Sequence, residues 1–168
     1  MKQYNNITMK YGFSILEIIT VIFIIATGLV GIMSLVVQNI QIQYVNKNNL
    51  IASQLAQEGL ELIRNKRDNN WLNGIIWNDG LTAGNYVNDY TGYINSVSGM
   101  EEAKLQIKTN TGEEFYLYDV SEPDSNFSRL ITITESDTEH INVSCRIEWP
   151  DRGNIYNYVA DTVLYDWR

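Results

Sequence analysis

A single carboxylate, Glu17, stands at the mouth of an uncharged run. From Ile18 to Val37 there are twenty residues without a charge, and the next charged residue is Lys47. An ionised carboxylate in lipid is costly unless it finds a partner, so an acid at this place asks for a cationic mate. Other residues with the chemistry for a site are few. His140 is the one histidine, which excludes a metal centre built on histidines. Asp137 with Glu139, and Glu122 with Asp124, put carboxylates close together in sequence. Calcium takes about six to eight oxygen ligands, and short acidic pairs of this kind read first as solvated loops. Cys145 is the only cysteine, so no intrachain disulfide can form, and a lone buried thiol acts as a small hydrophobe. There is no glycine-rich phosphate loop and no nucleophile elbow. The expectation is a protein that is not an enzyme and that needs no cofactor and no metal.

The elements that position Glu17 come next. Twenty apolar residues at about 1.5 Å each span a hydrocarbon core of roughly 30 Å. Thr20, Thr27 and Ser34 interrupt the run, and their hydroxyls can bond back within a helix. Gly28 and Gly31 lie mid-span and suit close helix packing. Beyond Val37 the pattern turns amphipathic. Ile40, Val45, Leu50, Ile51, Leu55, Leu62 and Ile63 alternate with Gln38, Gln41, Gln43, Lys47, Gln54 and Glu58. Ala52, Ala56, Gly59 and Ile63 fall at helical spacing, which predicts a stripe packed on the domain that follows. Lys66 and Arg67 suit a helix C-terminus, and Asp68-Asn69-Asn70 predicts an end between Asn65 and Asn70. A helix of about 55 residues is too long for an ordinary globular fold. A shaft that is half anchor and half spine explains it.

Trp71 to Met100 is rich in Asn, Gly, Asp, Tyr and Trp, with turn signals at Asn78-Asp79-Gly80, Ala83-Gly84-Asn85 and Thr91-Gly92. Its aromatic residues argue against a disordered linker and predict an ordered, irregular connection. The rest reads as sheet. Lys104–Lys108 and Glu113–Val120 predict a hairpin around Thr109-Asn110-Thr111-Gly112, and Glu122–Asn126 a loop. Arg129–Glu135 alternates, with Ile131 and Ile133 on one face. His140–Trp149 is the clearest strand: Ile141, Val143, Cys145, Ile147 and Trp149 share one face, Asn142, Ser144, Arg146 and Glu148 the other. Pro150–Gly153 predicts a turn and Ile155–Tyr165 a last strand. One antiparallel sheet of four or five strands is expected.

The hexapeptide Gly12-Phe13-Ser14-Ile15-Leu16-Glu17, followed by its apolar run, resembles the processing site of type IV prepilins. The resemblance implies that a prepilin peptidase cuts between Gly12 and Phe13, that Phe13 is then N-methylated, and that Glu17 is the glutamate that registers subunits during assembly. It implies an α+β, pilin-like fold: a leader over 1–12, a long helix over 13–70 with about 14–37 in the membrane, and a head over 71–168. Within the head, 71–100 is the loop region and 101–168 the antiparallel sheet. Ala52–Trp71, the Phe127–Trp149 hairpin and the closing Leu164–Arg168 are similar to PilV-like minor pilins. The family's frequent mid-helix proline is missing, with Ser34 near its place. So is the disulfide with which many members close their C-terminal region. Some related pseudopilins bind calcium in the head.

The residues before the run agree with that topology. Met1–Gly12 holds Lys2 and Lys10 and no acid, which keeps the N-terminus cytoplasmic. A secretory signal would be cut after its apolar region, at a small-x-small site, whereas this candidate junction precedes the run and leaves the anchor in place. The implied product is a single-pass inner-membrane protein with an extracytoplasmic head, later part of a surface pilus. Its implied partners are the peptidase, other pilin subunits, the inner-membrane assembly platform and lipid. The chain has 168 residues and a net charge of −8, and losing Lys2 and Lys10 would bring it to −10. Such acidity speaks against this subunit alone gripping a nucleic-acid backbone. Two other readings share the anchor. One is a type II secretion or competence pseudopilin; the other is a single-pass anchored protein whose exported domain binds a ligand.

Overall fold

The structure, a computed structural model, describes residues 12–135 and 139–167. Lys2, Lys10, Asp137 and Arg168 lie outside the described residues. The chain divides into two compact units, one up to Asn46 and one from Lys47 onward. One helix, α1 (Ile15–Leu72, 58 residues), passes through both.

In the first unit α1 is apolar and almost wholly exposed. It holds a stretch long and apolar enough to cross a membrane, and none of that stretch is buried within the chain. Its hydroxyls turn inward on the helix itself. Thr20 Oγ1 donates to the Glu17 carbonyl at 2.8 Å, and Thr27 Oγ1 to the Phe23 carbonyl at 3.0 Å. These bonds satisfy polar groups that would otherwise face an apolar medium.

In the second unit the rest of α1 packs on an open antiparallel sheet of seven strands. The strands are β1 (Gly84–Asn88), β2 (Ile94–Ser96), β3 (Lys104–Asn110), β4 (Glu113–Leu117), β5 (Asp124–Glu135), β6 (His140–Asp151) and β7 (Asn154–Tyr165). β5 organises them. β6 lies along one side of it, with β7 beyond; on the other side β3 pairs with its first half and β1 with its second. The core lies between sheet and helix. Asn48, Ala52, Leu55, Ala56, Gly59, Leu60, Ile63, Arg67 and Asn70 form the buried stripe of α1, at the spacing of one helical face. Ile131, Ile133, Ile141, Val143, Cys145, Ile147 and Trp149 meet it from the sheet, so the alternation of β6 sorts its two faces as expected.

Three features differ from the sequence-based expectation. The sheet has seven strands, not four or five, because Trp71–Met100 supplies β1 and β2. The expected loop at Glu122–Asn126 is strand from Asp124 onward, since Asp124 pairs with Gln106 of β3. The helix runs on to Leu72. Asn70 does not break it: its side-chain amide donates forward to the carbonyls of Trp77 (3.0 Å) and Asp79 (2.9 Å). The stop is Gly74, at φ +68°, where Gly74 N–H bonds back to the Trp71 carbonyl and Ile75 N–H to the Asn70 carbonyl. That left-handed residue with paired back-bonds closes a helix C-terminus.

Candidate functional site

The chain presents a candidate assembly segment at its N-terminal end and a rigid junction in its head. At the first, Gly12, Phe13 and Ser14 precede α1 in non-helical backbone, and the Ser14 carbonyl accepts the first helical bond, from Ile18 N–H at 3.2 Å. A side chain built on Gly12 would meet no atom within 4 Å, and Phe13 is 79% exposed. The Gly12–Phe13 peptide therefore sits in open, non-helical chain. Glu17 lies in the first turn of α1, and Phe13, Glu17, Ile18, Val21 and Ile22 border one shallow groove. Phe13 and Glu17 are thus brought onto one side of the helix start. A carboxylate there is also favoured by the helix dipole, worth about 0.3–1 kcal/mol.

Of the carboxylates considered for calcium, Asp137 lies outside the described residues, and Glu122 and Asp124 turn to different partners. Glu122 pairs with Lys108 Nζ at 3.5 Å, while Asp124 accepts from Gln106 Nε2 at 3.0 Å. Among the described residues no three His, Cys, Asp or Glu side chains gather as metal ligands would. His140 opens β6, its ring centre 5.5 Å from that of Tyr165.

The junction of α1 with the sheet joins Gly59 of the expected stripe to Arg129 and Asn88, two side chains that carried no expectation. Arg129 is fully buried on the core face of β5, in line with Phe127, Ile131 and Ile133. Its guanidinium has two hydrogen-bond acceptors and one ion-pair partner. Nη1 donates to the Leu55 carbonyl of α1 at 3.1 Å, Nη2 to the Asn88 carbonyl of β1, and the Glu58 carboxylate lies 3.4 Å from Nη1. Asn88 answers by donating its amide to the Gly59 carbonyl at 2.9 Å. Two side chains of the sheet thus grip two carbonyls one turn apart on the helix. Gly59 makes the approach possible. A β-carbon there would lie 3.0 Å from Ile131 Cδ1 and 3.1 Å from both Arg129 Cδ and Cys145 Sγ, so that these neighbours would have to give way by a few tenths of an ångström. Arg129 was findable: it stands two residues before Ile131, which puts it on the inward face of an alternating strand.

Burial governs the ionisable groups around this junction. It pushes the Cys145 thiol up to about 12, against the opposing pull of Arg129. It also pushes the Tyr118 phenol well above its ordinary value. Tyr118 stays a donor, giving its hydroxyl proton to the Arg129 carbonyl at 2.6 Å. Asp89, buried, accepts from the backbone N–H of Tyr118 at 3.0 Å and of Thr91 at 2.9 Å, so its carboxylate ties the β1–β2 turn to the end of β4. These groups tie the helix, the turn and the strands to one another.

No family model, no characterised protein and no solved structure matches the chain. The class rests on the fold itself. It is an α+β protein with one long apolar N-terminal helix, membrane-span-like in length, whose later part packs on an open antiparallel sheet. That architecture is consistent with a membrane-anchored subunit of pilin-like build.

Proposed function

We propose that the chain is a minor type IV pilin, made as a prepilin, cut between Gly12 and Phe13, N-methylated on Phe13 and assembled through α1. One observation carries the reading. The apolar half of α1 has no cover within its own chain, and it begins where Gly12, Phe13 and Glu17 stand in the prepilin arrangement. Each such side chain costs about 1.5–3 kcal/mol to leave in water, so the segment belongs in lipid or against other helices. Cleavage would free an α-amino group on Phe13, cationic below a pKa of about 8. That ammonium is a cationic mate for Glu17. In staggered helices the amine of one subunit meets the carboxylate of the next, and the pair locks the register. The work of the head is then mechanical: it primes, caps or decorates a filament that serves adhesion, motility or DNA uptake. The rigid α1–sheet junction suits a part that must transmit force.

Co-expression with a prepilin peptidase followed by intact-mass measurement tests this. The expected result is loss of residues 1–12 and gain of one methyl group. A chain that keeps Met1–Gly12 would overturn the reading in favour of an anchored receptor. Immunogold labelling of sheared surface fibres then separates a pilus subunit from a secretion or competence pseudopilin.

A further inference from the structure

β7 pairs with β6 alone among the described residues, so its outer edge carries backbone groups with no strand beside them. Which residues face outward follows from the turn before it. Arg152 and Gly153 both have positive φ, at 51° and 81°, and Asp151 faces Asn154 across that two-residue turn. A turn of this kind makes its flanking residues a hydrogen-bonded pair. The other end agrees, since Asp166 N–H donates to the Glu139 carbonyl at 2.8 Å. Even-numbered residues of β7 therefore bond to β6. Ile155, Asn157, Val159, Asp161 and Val163 turn their N–H and C=O groups away from the sheet.

Sheets guard such edges with lysine, proline, bulges or short strands. β7 has none of these: it runs twelve residues without Lys, Arg, Pro or Gly, and its register with β6 is unbroken. Its outward residues are also open, with Ile155 72%, Val159 45% and Val163 40% exposed.

The pattern along this edge selects its occupant. Read outward, it is Ile-Asn-Val-Asp-Val, nearly the same in both directions about Val159. Two copies set antiparallel on an axis through Val159 place Ile155 against Val163, Asn157 against Asp161, and Val159 against itself. Apolar meets apolar, and an amide donor meets a carboxylate. On the other face Tyr158 falls opposite Ala160 and Tyr156 opposite Thr162, large against small. An axis at Asp161 would set two carboxylates face to face, which is destabilising. An axis at Asn157 would shorten the pairing and leave Val163 outside it. We infer that the free edge of β7 pairs with β7 of a second copy of this chain, about a two-fold axis at Val159. Such an interface is self-complementary, as a closed dimer requires. It lies wholly in the head and holds whether or not the N-terminus is processed.

Single-cysteine variants of the full chain in detergent micelles test the register. Val159→Cys should give a disulfide-linked dimer under mild oxidation, while Asp161→Cys alone should not. Asn157→Cys mixed with Asp161→Cys should again cross-link, and the native Cys145 stays silent because it is buried. No dimer from Val159→Cys, or equal yields at 159 and 161, would overturn the proposal. Equal yields would mean association through the apolar helix only. Hydrogen exchange on the unmodified chain gives a second reading that needs no variant. The amides of Asn157, Val159 and Asp161 should lose their protection on dilution; rapid exchange at every concentration would likewise overturn the proposal.

Discussion

Arg129 decides more about the head than any other single residue. A buried guanidinium is tolerated only while its partners are in place, and here they are carbonyls of α1 and β1 and the charge of Glu58. Arg129→Ala leaves the Asn88 carbonyl buried without its donor, and urea unfolding should show a loss of about 3–5 kcal/mol. Arg129→Lys keeps the charge and loses the fork that reaches two carbonyls, so it should recover only part of that loss. Wild-type stability in Arg129→Ala would show that the grip is idle. Cys145 gives a test by pH. Its thiol is raised to about 12 by burial from an ordinary 9.0, so the folded state favours the protonated form. The stability this brings is whole below about pH 9 and is lost as pH rises toward 12. At pH 8 the thiol should resist a thiol-titrating reagent in the native state and react at once in urea. Fast native labelling would contradict the buried position.

At the scale of elements, the glycines of α1 divide into two kinds. Gly59 is pressed by Ile131, Arg129 and Cys145, whereas Gly28 and Gly31 have no atom of their own chain within 4 Å of a built β-carbon. Gly59→Ala gains about 1 kcal/mol of helix propensity and loses about 1–3 kcal/mol to overpacking, so thermal melting should move downward. Gly28→Ala should leave the melting of the head unchanged, and in the proposed filament it should disturb packing between helices. What was legible in the sequence follows the same division. β6 declared itself because one face is buried along its whole length and the other is half-buried or exposed. The β3–β4 and β6–β7 turns did so because Gly112 and Gly153 sit at positive φ. β1 was hidden, since Gly-Asn-Tyr-Val-Asn has little strand preference of its own. It is a strand because Tyr86 pairs with Ile131 of β5, a contact no local pattern announces. The start of β5 was hidden for the same reason. Of the candidate site, Gly12, Phe13 and Glu17 were plain from composition and order, while the Arg129–Asn88–Gly59 junction depends on three distant segments meeting. Gly74 was readable as a helix stop and was overshadowed by the asparagines before it.

On the scale of the whole molecule, the question is why an acid should be kept at the edge of an apolar segment that would enter lipid more readily without it. Glu17→Val separates insertion from assembly. The change removes a charge that is costly in lipid and leaves Gly12–Phe13 in its open, non-helical setting. Membrane insertion and cleavage should therefore proceed as in the wild type. Assembly should not. A neighbour's Phe13 ammonium, brought between packed helices, would find no carboxylate, and removing one member of a buried pair costs about 3–5 kcal/mol. At about 1.36 kcal/mol for each factor of ten, incorporation should fall by roughly two to four orders of magnitude. The readout is the ratio of this subunit in sheared fibres to that in the membrane fraction, set beside the mass of the processed chain. A processed Glu17→Val chain that enters fibres at the wild-type ratio would remove the charge pair from the mechanism and leave apolar packing alone to set the register.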